Sequence, residues 1–283
     1  MENLKDEKIK ELKITANNIR ISIIEMLTKA GSGHTAGALG MADIFTLLYF
    51  HTLKHDPKNP MWVNRDRLVL SNGHICPVLY ASMAHSGYFP IKELETLRKF
   101  GSRLQGHPHR EYMPWLETSS GPLGLGLSQA AGMAIVDKIY GGDKTIYALL
   151  SDGEHDEGNT WEAIMLCAKE KISNLIVIVD RNNIQISGNT ERVMPLGDLK
   201  EKYKSFGWFA QEIDGHNFFE INNAIFKAKN NKGMPSVIIA NTIPGKGVKE
   251  WERDYHWHGK PPTKSEAEMA IAELKILGNS LLN

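Results

Sequence analysis

The chain has 283 residues, 42% of them hydrophobic and 23% charged, which is ordinary for a globular protein with one large domain or two small ones. Lys and Arg total 33, as do Asp and Glu, so the zero net charge gives no support for binding to nucleic acid or to an anionic membrane. The two cysteines lack a metal-ligand spacing and the charged N-terminus lacks the apolar segment of a secretory signal, so we predict a cytoplasmic protein with reduced thiols. No apolar run is long enough to span a bilayer.

Helical periodicity dominates the N-terminal third of the chain. Apolar residues recur at helical spacing, and the pattern breaks at the glycine-rich segment 31–40. The predicted helices cover residues 5–30, 41–53, 77–86 and 91–100, with a short strand and turn at 65–74. A loop rich in Gly, Pro and Ser follows over residues 101–126, and long ordered loops in compact domains are usually functional.

Strands and helices alternate regularly in the rest of the chain. The predicted strands are apolar runs at 144–150, 174–179, 207–213 and 235–241, and the predicted helices lie at 127–140, 160–171 and 218–230. Asn159 is the predicted N-cap of the second of these helices, and Glu162 completes a capping box. This alternation predicts one α/β domain over residues 1–283, with a parallel sheet flanked by helices on both faces.

Acidic and amide side chains follow two of these strands directly. Asp152 begins the motif after the first strand, in SDGEHDEGNTWEA, and Asn182 lies after the second, in DRNNIQISG. Because ligands of parallel sheets bind beyond the carboxyl ends of the strands, both residues should lie at one edge. A carboxylate with amide and backbone oxygens suits Mg²⁺ or Ca²⁺ in a site completed by phosphate oxygens. Asp-Gly and Asn-Asn are also ordinary turn dipeptides, so the spacing alone leaves both interpretations open.

Three glycines, Gly121, Gly124 and Gly126, lead into the helix predicted at 127–140. Backbone N–H groups at the start of a helix can face an anion. The order of the glycines, and the loop that precedes them, do not match a dinucleotide-binding fingerprint, so this motif alone identifies no ligand.

Four histidines share one setting. Each lies beside a glycine in a predicted loop, where backbone can approach a ligand closely: His34, His74, His107 and His258. A single loop histidine is usually a surface residue, but four of them favour a convergent polar site that binds phosphate or moves protons. Their spacing is not that of a zinc site.

The ordered set of motifs resembles the N-terminal, diphosphate-binding half of transketolase, from about residue 10 to 265. The motifs are SGH, LSNGH, GSRLQGHP, GPLGLG, SDGEHDEGNTWEA, DRNNIQ and WHGKP. The resemblance implies a thiamine-diphosphate-binding α/β domain. The signature of the family begins Gly-Asp-Gly, and Ser151 replaces its first glycine here, so we expect cofactor affinity to differ from the family norm.

The resemblance also implies roles for individual residues. Asp152 and Asn182 would bind the divalent metal through their side chains and Ile184 through its backbone carbonyl, and the metal would hold the diphosphate. The residues expected to line thiamine diphosphate are His74, Gly121, Leu123, Asp152, Gly153, Asn182, Ile184 and His258. The histidines expected to contact sugar hydroxyls and assist proton transfer in the substrate channel are His34, His107 and His258.

Other residues of these motifs receive different expectations. Glu157, counted among the catalytic residues, would join Glu162 in a carboxylate network at a subunit interface. From the residues alone, Glu162 is also a capping residue and Glu157 a solvated loop charge. Glu154 and Asp156 are expected to be bystanders. Gly37 stands where some relatives have a serine that touches substrate, so that contact is expected to be missing.

The pyrimidine-binding and C-terminal domains of a whole transketolase lie outside the resemblance. In the family, the pyrimidine-binding domain carries the Glu that activates the cofactor and the arginines that bind the sugar phosphate. We therefore expect a partner subunit that supplies them, in a heterotetramer that is active only as an assembly. The implied reaction transfers a two-carbon ketol unit from a ketose phosphate to an aldose phosphate, as in the pentose phosphate pathway.

Three alternatives remain open at this point. The chain could serve a split ketol transferase that acts on another sugar phosphate or on a sulfo-sugar. It could be a thiamine-diphosphate-binding subunit without catalytic activity. It could also belong to a thiamine enzyme of the deoxyxylulose-phosphate or dehydrogenase type, although WHGKP and GSRLQGHP favour transketolase.

Overall fold

The computed structural model describes residues 4–282, so the first residues of the charged N-terminal segment and the C-terminal Asn283 lie outside it. The helices are α1 (Asp6–Ala30), α2 (Ala36–Gly40), α3 (Ala42–Leu47), α4 (Cys76–His85), α5 (Leu125–Ile139), α6 (Gly158–Lys169), α7 (Thr190–Val193), α8 (Leu199–Ser205), α9 (Phe218–Asn230) and α10 (Lys264–Leu282). The strands are β1 (Arg67–Leu70), β2 (Ile146–Ser151), β3 (Leu175–Arg181), β4 (Ile184–Gln185), β5 (Gly188–Asn189), β6 (Phe209–Asp214) and β7 (Ser236–Asn241). Among these helices none has the length and hydropathy needed to cross a membrane.

Five of the strands in the described residues form one parallel sheet, in the order β1-β2-β3-β7-β6. In the centre of the sheet, Ser151 at the end of β2 pairs with Asp180 of β3, which pairs with Ala240 of β7. The strands β4 and β5 form a separate antiparallel ribbon after β3. The predicted α/β class is therefore confirmed, and the register brings the ends of three strands to the same edge.

The apolar core lies on both faces of this sheet. Alternate residues of each strand point to opposite faces, so Leu149 packs with α1, α3, α4 and α9, while Leu150 packs with α5, α6 and α8. Each such buried side chain contributes about 1.5–3 kcal/mol through the hydrophobic effect. Burial on both faces explains why the central strands are continuous apolar runs.

Several boundaries differ from the sequence-based prediction. The helix predicted at 91–100 is a single 3₁₀ segment, Ile91–Thr96, because the chain then turns back and Arg98 N–H donates to the Leu104 carbonyl at 2.9 Å. The glycine-rich segment 31–40 contains the short helix α2. The helices α8 and α10 were not predicted, and α10 lies against α1, where Asn17 Nδ2 donates to the Leu274 carbonyl at 2.9 Å.

Candidate cofactor site at the carboxyl edge of the sheet

A cavity of about 350 Å³ opens beyond the carboxyl ends of β2 and β3. It is lined by all the residues expected to contact metal, cofactor or the substrate channel: His34, His74, His107, Gly121, Leu123, Asp152, Gly153, Asn182, Ile184 and His258. Ser151, Gln185 and Ile186 also line it. The loops that carry these residues come from distant parts of the chain, and the topology of the sheet brings them together.

Asp152 lies fully buried where β2 ends. Its Oδ1 accepts a hydrogen bond from Gly153 N–H at 2.8 Å, and its Oδ2 accepts from Asn183 N–H at 2.7 Å and from Arg181 Nη1 at 3.3 Å. Burial raises the pKa of Asp152 to about 6, against the opposing effects of Arg181 and the two backbone N–H groups. The carboxylate is thus poorly compensated and suited to a cation.

Asn182 is held by a second buried carboxylate. Its Nδ2 donates to Asp180 Oδ2 at 2.8 Å, while its Oδ1 accepts from Ile184 N–H at 3.0 Å. The other oxygen of Asp180 accepts a hydrogen bond from Thr242 Oγ1. Burial raises the pKa of Asp180 to about 7, and the neighbouring charge of Asp152 acts in the same direction.

The oxygen donors of the cavity fit a hard divalent cation whose coordination is completed by the phosphate oxygens of a bound ligand. The protein offers one carboxylate, Asp152, with the amide oxygen of Asn182 and the backbone carbonyl of Ile184, all at one cavity. Within residues 4–282 no cluster of three or more His, Cys, Asp or Glu could hold a metal by itself. Oxygen ligands in this number suit Mg²⁺ or Ca²⁺ only when phosphate oxygens and water complete the coordination.

Three of the histidine rings that line the cavity lie close to one another. The ring centroids of His34 and His74 lie 4.9 Å apart, those of His34 and His258 5.4 Å, and those of His74 and His258 5.3 Å. His107 lies beside them, since a Cβ added at Gly73 would approach its Cδ2 to 3.2 Å. The Nδ1 atom of His34 is buried and has no hydrogen-bond partner among the described residues.

These imidazoles are held neutral. Burial and the adjacent His258 lower the pKa of His34 to about 4, and burial lowers the pKa of His74 well below its ordinary value. Burial also lowers the pKa of His258 and, with Arg98, that of His107. Neutral imidazoles can accept or donate a hydrogen bond to a sugar hydroxyl at neutral pH.

Arg98 lies outside the cavity lining, but its charge acts on two of the cavity histidines, and sequence reasoning missed it. Its φ of 59° is unusual for a large side chain, and its Nη2 donates to the Gly106 carbonyl at 3.3 Å. A Cβ at Gly106 would lie 2.8 Å from the guanidinium carbon, so only glycine permits this approach. The charge contributes to the lowered pKa of both His34 and His107. No sequence signal pointed to Arg98, because its position depends on how the loop closes.

Glu154, which was expected to be a bystander, is a buried structural residue. Its fully buried carboxylate accepts hydrogen bonds from Ser71 Oγ, from Gly124 N–H at 2.5 Å and from Ser151 N–H at 3.1 Å. Gly126 N–H in turn donates to Ser71 Oγ at 3.0 Å. The anion that faces the start of α5 is therefore the protein's own carboxylate, which ties the glycine loop to the ends of β1 and β2.

The predicted capping box of α6 is wrong. The helix begins at Gly158, with Glu157 at the N-cap position and no side-chain cap, so Asn159 lies inside the first turn. Its Oδ1 is buried against Gly124 instead of accepting from the helix. Glu157 and Glu162 lie outside the cavity lining, so their expected interface role remains a prediction.

His155 supports the Asp152 turn from behind and was also missed. Its Nδ1 lies 3.0 Å from the Ser151 carbonyl and 3.1 Å from that of Asp152, and its Nε2 lies 2.8 Å from Tyr203 Oη. Burial lowers the pKa of His155 to about 4. Tyr203 belongs to α8, so no local pattern in the sequence could show this contact.

Gly37 is closely surrounded. A Cβ at this position would lie 2.9 Å from Ile75 Cγ2, 3.8 Å from Asp180 Oδ2 and 3.9 Å from Asn182 Nδ2. A serine here would require Ile75 to shift. The expectation that a substrate contact is missing at Gly37 stays a prediction.

A pair of glycine substitutions tests the packing of the α5 start. Gly124 has a φ of 82°, and a Cβ there would lie 2.0 Å from Asn159 Oδ1, whereas Gly132 of α5 has no atom within 4 Å of an added Cβ. We expect Gly124→Ala to lower the free energy of unfolding by about 2–3 kcal/mol. Gly132→Ala should raise it by about 0.5–1 kcal/mol. Equal urea midpoints for the two variants would contradict this.

Comparison with known proteins identifies relatives over almost the whole chain. The family model described as the thiamine diphosphate binding domain of transketolase matches residues 12–277. The 6-deoxy-6-sulfo-D-fructose transketolase subunit SqwG of Clostridium sp. (strain MSTE9) is 42% identical, over 95% of this chain and 98% of that subunit. One subunit of the apulose-4-phosphate transketolase of Phocaeicola vulgatus is 36% identical, over 94% of this chain and 95% of that subunit.

Longer transketolases match as well. The human transketolase is 39% identical over 95% of this chain, but the match spans 42% of its own length. The crystal structure of transketolase from Campylobacter jejuni superimposes with a TM-score of 0.88 at 37% identity, over 93% of this chain and 42% of that one. The chain thus spans less than half of the longer transketolases and nearly all of the two subunits. By these matches it belongs to the transketolase family and corresponds to its thiamine diphosphate binding domain.

Proposed function

We propose that this chain is the N-terminal, diphosphate-binding subunit of a two-chain transketolase, which moves a two-carbon ketol unit from a ketose phosphate to an aldose phosphate. The observation that carries the proposal is the cavity itself. Its lining combines a buried carboxylate and amide, Asp152 and Asn182, with a cluster of neutral histidines. The first pair suits a metal–diphosphate group, and the histidines suit a polyhydroxylated substrate.

The chain's part in the reaction is to bind and orient. Thiamine diphosphate, when bound, supplies the carbon nucleophile that cleaves and forms the ketol C–C bond. Asp152, Asn182 and the Ile184 carbonyl would hold its diphosphate through Mg²⁺ or Ca²⁺, while Gly121, Leu123, Gly153 and His74 would line it. Gly153, with no side chain, lets this group approach the backbone closely.

The channel histidines would handle protons on the sugar. Since His34 and His258 are neutral, each can accept a proton from one hydroxyl or donate its own N–H to an oxygen. Both histidines line the cavity, which supports such a contact. His107 would act on the same oxygens from the loop that also contains Gly106.

A partner subunit would complete the site. The relatives of subunit length support this, because both are called transketolase subunits and this chain covers almost all of each. The partner would contribute the pyrimidine-binding and C-terminal domains, with the Glu that activates the cofactor and the arginines that bind the sugar phosphate. We propose a cytoplasmic heterotetramer, in which Glu157 and Glu162 meet at a subunit interface.

The sugars are best found by a panel. Ketoses of the pentose phosphate pathway are the proposed donors, and the two subunit relatives motivate the inclusion of apulose 4-phosphate and 6-deoxy-6-sulfofructose. Transfer from any of these to an aldose phosphate would support the proposal. Release of CO₂ from pyruvate, without ketol transfer, would favour the dehydrogenase-type alternative.

Native purification tests the two-chain assembly. We expect a tagged form of this chain, isolated from its source organism, to bring down one stoichiometric chain with a pyrimidine-binding domain. The isolated pair should show ketol transfer that depends on thiamine diphosphate and on a divalent metal. If the chain purifies alone, or if the pair binds the cofactor and lacks transfer activity, the proposal of a catalytic subunit is wrong.

A further inference from the structure

Arg20, Asp43 and His216 form a buried polar cluster. None of the three lines the cofactor cavity. Asp43 of α3 is buried, and its Oδ2 accepts a hydrogen bond from Arg20 Nη2 of α1 at 2.6 Å. The same oxygen lies 2.7 Å from His216 Nδ1, in the turn between β6 and α9. Burial tends to raise the pKa of Asp43, but Arg20 and His216 outweigh it and lower the pKa to about 2. Asp43 is therefore a stable anion at the centre of the cluster.

The hydrogen bonds determine which nitrogen of His216 carries the proton. Ile243 N–H donates to His216 Nε2 at 2.8 Å, so Nε2 is an acceptor. The hydrogen must then lie on Nδ1, which donates to Asp43. His216 thus connects a buried carboxylate to one backbone amide through a single tautomer.

That amide belongs to the loop that leads from β7 to the cavity. Thr242, the residue before Ile243, donates through Oγ1 to Asp180, the carboxylate that orients Asn182. The same loop continues from Ile243 to His258, whose ring lines the cavity. The position of the Ile243 amide therefore affects both Asn182, through Thr242 and Asp180, and His258.

The cluster also holds the segment that follows His34. Arg20 Nε donates to the Leu39 carbonyl at 3.2 Å, at the end of α2, and Gly245 N–H donates to the Ala36 carbonyl at 2.9 Å, at its start. A Cβ at Gly40 would lie 3.0 Å from the Ile243 carbonyl oxygen, so the two backbones are in close contact. The loop after β7 and the segment after His34 are thus packed as one unit.

We infer that His216 is a positioning residue for the cofactor site. Through the Ile243 amide it sets the loop that carries Thr242 and His258, and Asp43 with Arg20 fixes the orientation of its ring. Removal of the His216 ring would leave Asp43 and the Ile243 amide each short of one hydrogen-bond partner, so we expect the loop after β7 to lose its fixed position. The inference rests on the proposed function in one respect, the roles of Asn182 in metal binding and of His258 in the substrate channel.

Hydrogen exchange on this chain tests the positioning directly. His216→Leu keeps the apolar volume but removes both hydrogen bonds, whereas His216→Gln can still donate to Asp43 and accept from Ile243. We expect the amides of Thr242, Ile243 and residues 245–247 to exchange about tenfold faster in His216→Leu and near the wild-type rate in His216→Gln. The matched control is His85→Leu, because His85 is half-buried and bonded to Ser22 Oγ at 3.0 Å, away from the cavity.

The second test of the positioning role measures the kinetics of the complex with its partner subunit. His216→Leu should lower kcat/KM for the donor sugar and the affinity for thiamine diphosphate by about tenfold each. His216→Gln should restore most of both, and His85→Leu should change neither. Faster exchange in a pair that transfers no ketol unit would refute the proposed function and leave the positioning role intact. Exchange and kinetics of His216→Leu equal to those of His85→Leu would refute the positioning role.

A spectroscopic measurement on the unmodified protein tests the inference without depending on whether the variants fold. Nitrogen-15 NMR of the imidazoles should show His216 as the Nδ1–H tautomer at neutral pH. The Nε2–H tautomer would mean that Ile243 N–H has no acceptor in this ring, and the inference would be wrong.

Discussion

Replacement of Asp152 by alanine should abolish metal-dependent binding of thiamine diphosphate. Asp152 is the single carboxylate proposed to bind the metal, and substitutions that only support a metal ligand already cost about 10–100-fold in affinity. We therefore expect a loss of at least about 100-fold. Arg181 would keep its ion pair with Glu191 at 2.6 Å, which limits the damage to the surrounding structure. Titration calorimetry of the two-chain complex with Mg²⁺ and thiamine diphosphate measures the loss.

Asp152→Asn provides the conservative control, since it keeps an oxygen at the site and removes the charge. It should retain the thermal unfolding temperature without cofactor and lose the stabilisation that bound cofactor confers, about 2.7 kcal/mol at a ligand concentration of 100 Kd. If the alanine variant still binds thiamine diphosphate tightly in the presence of Mg²⁺, Asp152 is not the metal ligand.

Protonation of the Asp152 carboxyl should make the affinity for the metal depend on pH. Its pKa is raised to about 6, chiefly by burial, so the carboxyl takes up a proton as the pH falls through that value. The metal must then displace this proton. Affinity for Mg²⁺ should be level above pH 6 and fall by up to about tenfold per pH unit below it.

Replacement of His107 by alanine should reduce turnover and leave cofactor binding nearly intact. His107 lines the cavity beside the histidine cluster, on a loop separate from those that carry Asp152 and Asn182. Loss of a side chain that moves a proton typically costs about 100-fold or more in rate. We expect kcat/KM for the donor sugar to fall by about that factor, with the affinity for thiamine diphosphate within about twofold of the wild type.

His109 offers a matched control in the same loop. Its ring packs against Tyr112 at 5.0 Å and is not part of the cavity lining. His109→Ala should therefore leave kcat/KM near the wild-type value. A His107→Ala complex that loses the cofactor while it handles substrate normally would contradict the channel role of His107.

The local pattern of the sequence predicted most of the architecture. Apolar runs at 144–150, 174–179 and 235–241 correspond to three central strands, because a strand buried on both faces needs apolar residues at every position. The rule that ligands bind at the carboxyl edge of a parallel sheet also predicted that Asp152 and Asn182 lie together. Four loop histidines beside glycines likewise share one cavity.

Helix starts and short helices were predicted less well. Asn159 followed by Glu162 satisfies the capping pattern, yet the Asn159 side chain packs against Gly124 and the helix begins one residue before Asn159. The side-chain oxygen that a cap would have supplied is instead buried against Gly124, where it accepts no hydrogen bond from the described residues. Capping patterns describe local competition for N–H groups, and tertiary packing can override them.

By itself, then, the sequence determined the α/β class, the edge of the sheet where a ligand binds, and the residues that converge there. Only the tertiary structure decided which other side chains hold the converging residues in place. Glu154 meets Ser71 across 83 residues, and His216 meets Asp43 across 173. Periodicity records whether a residue faces the core, because burial is non-directional, but a hydrogen bond requires two groups at a defined distance and angle. That pairing exists only once the chain has folded.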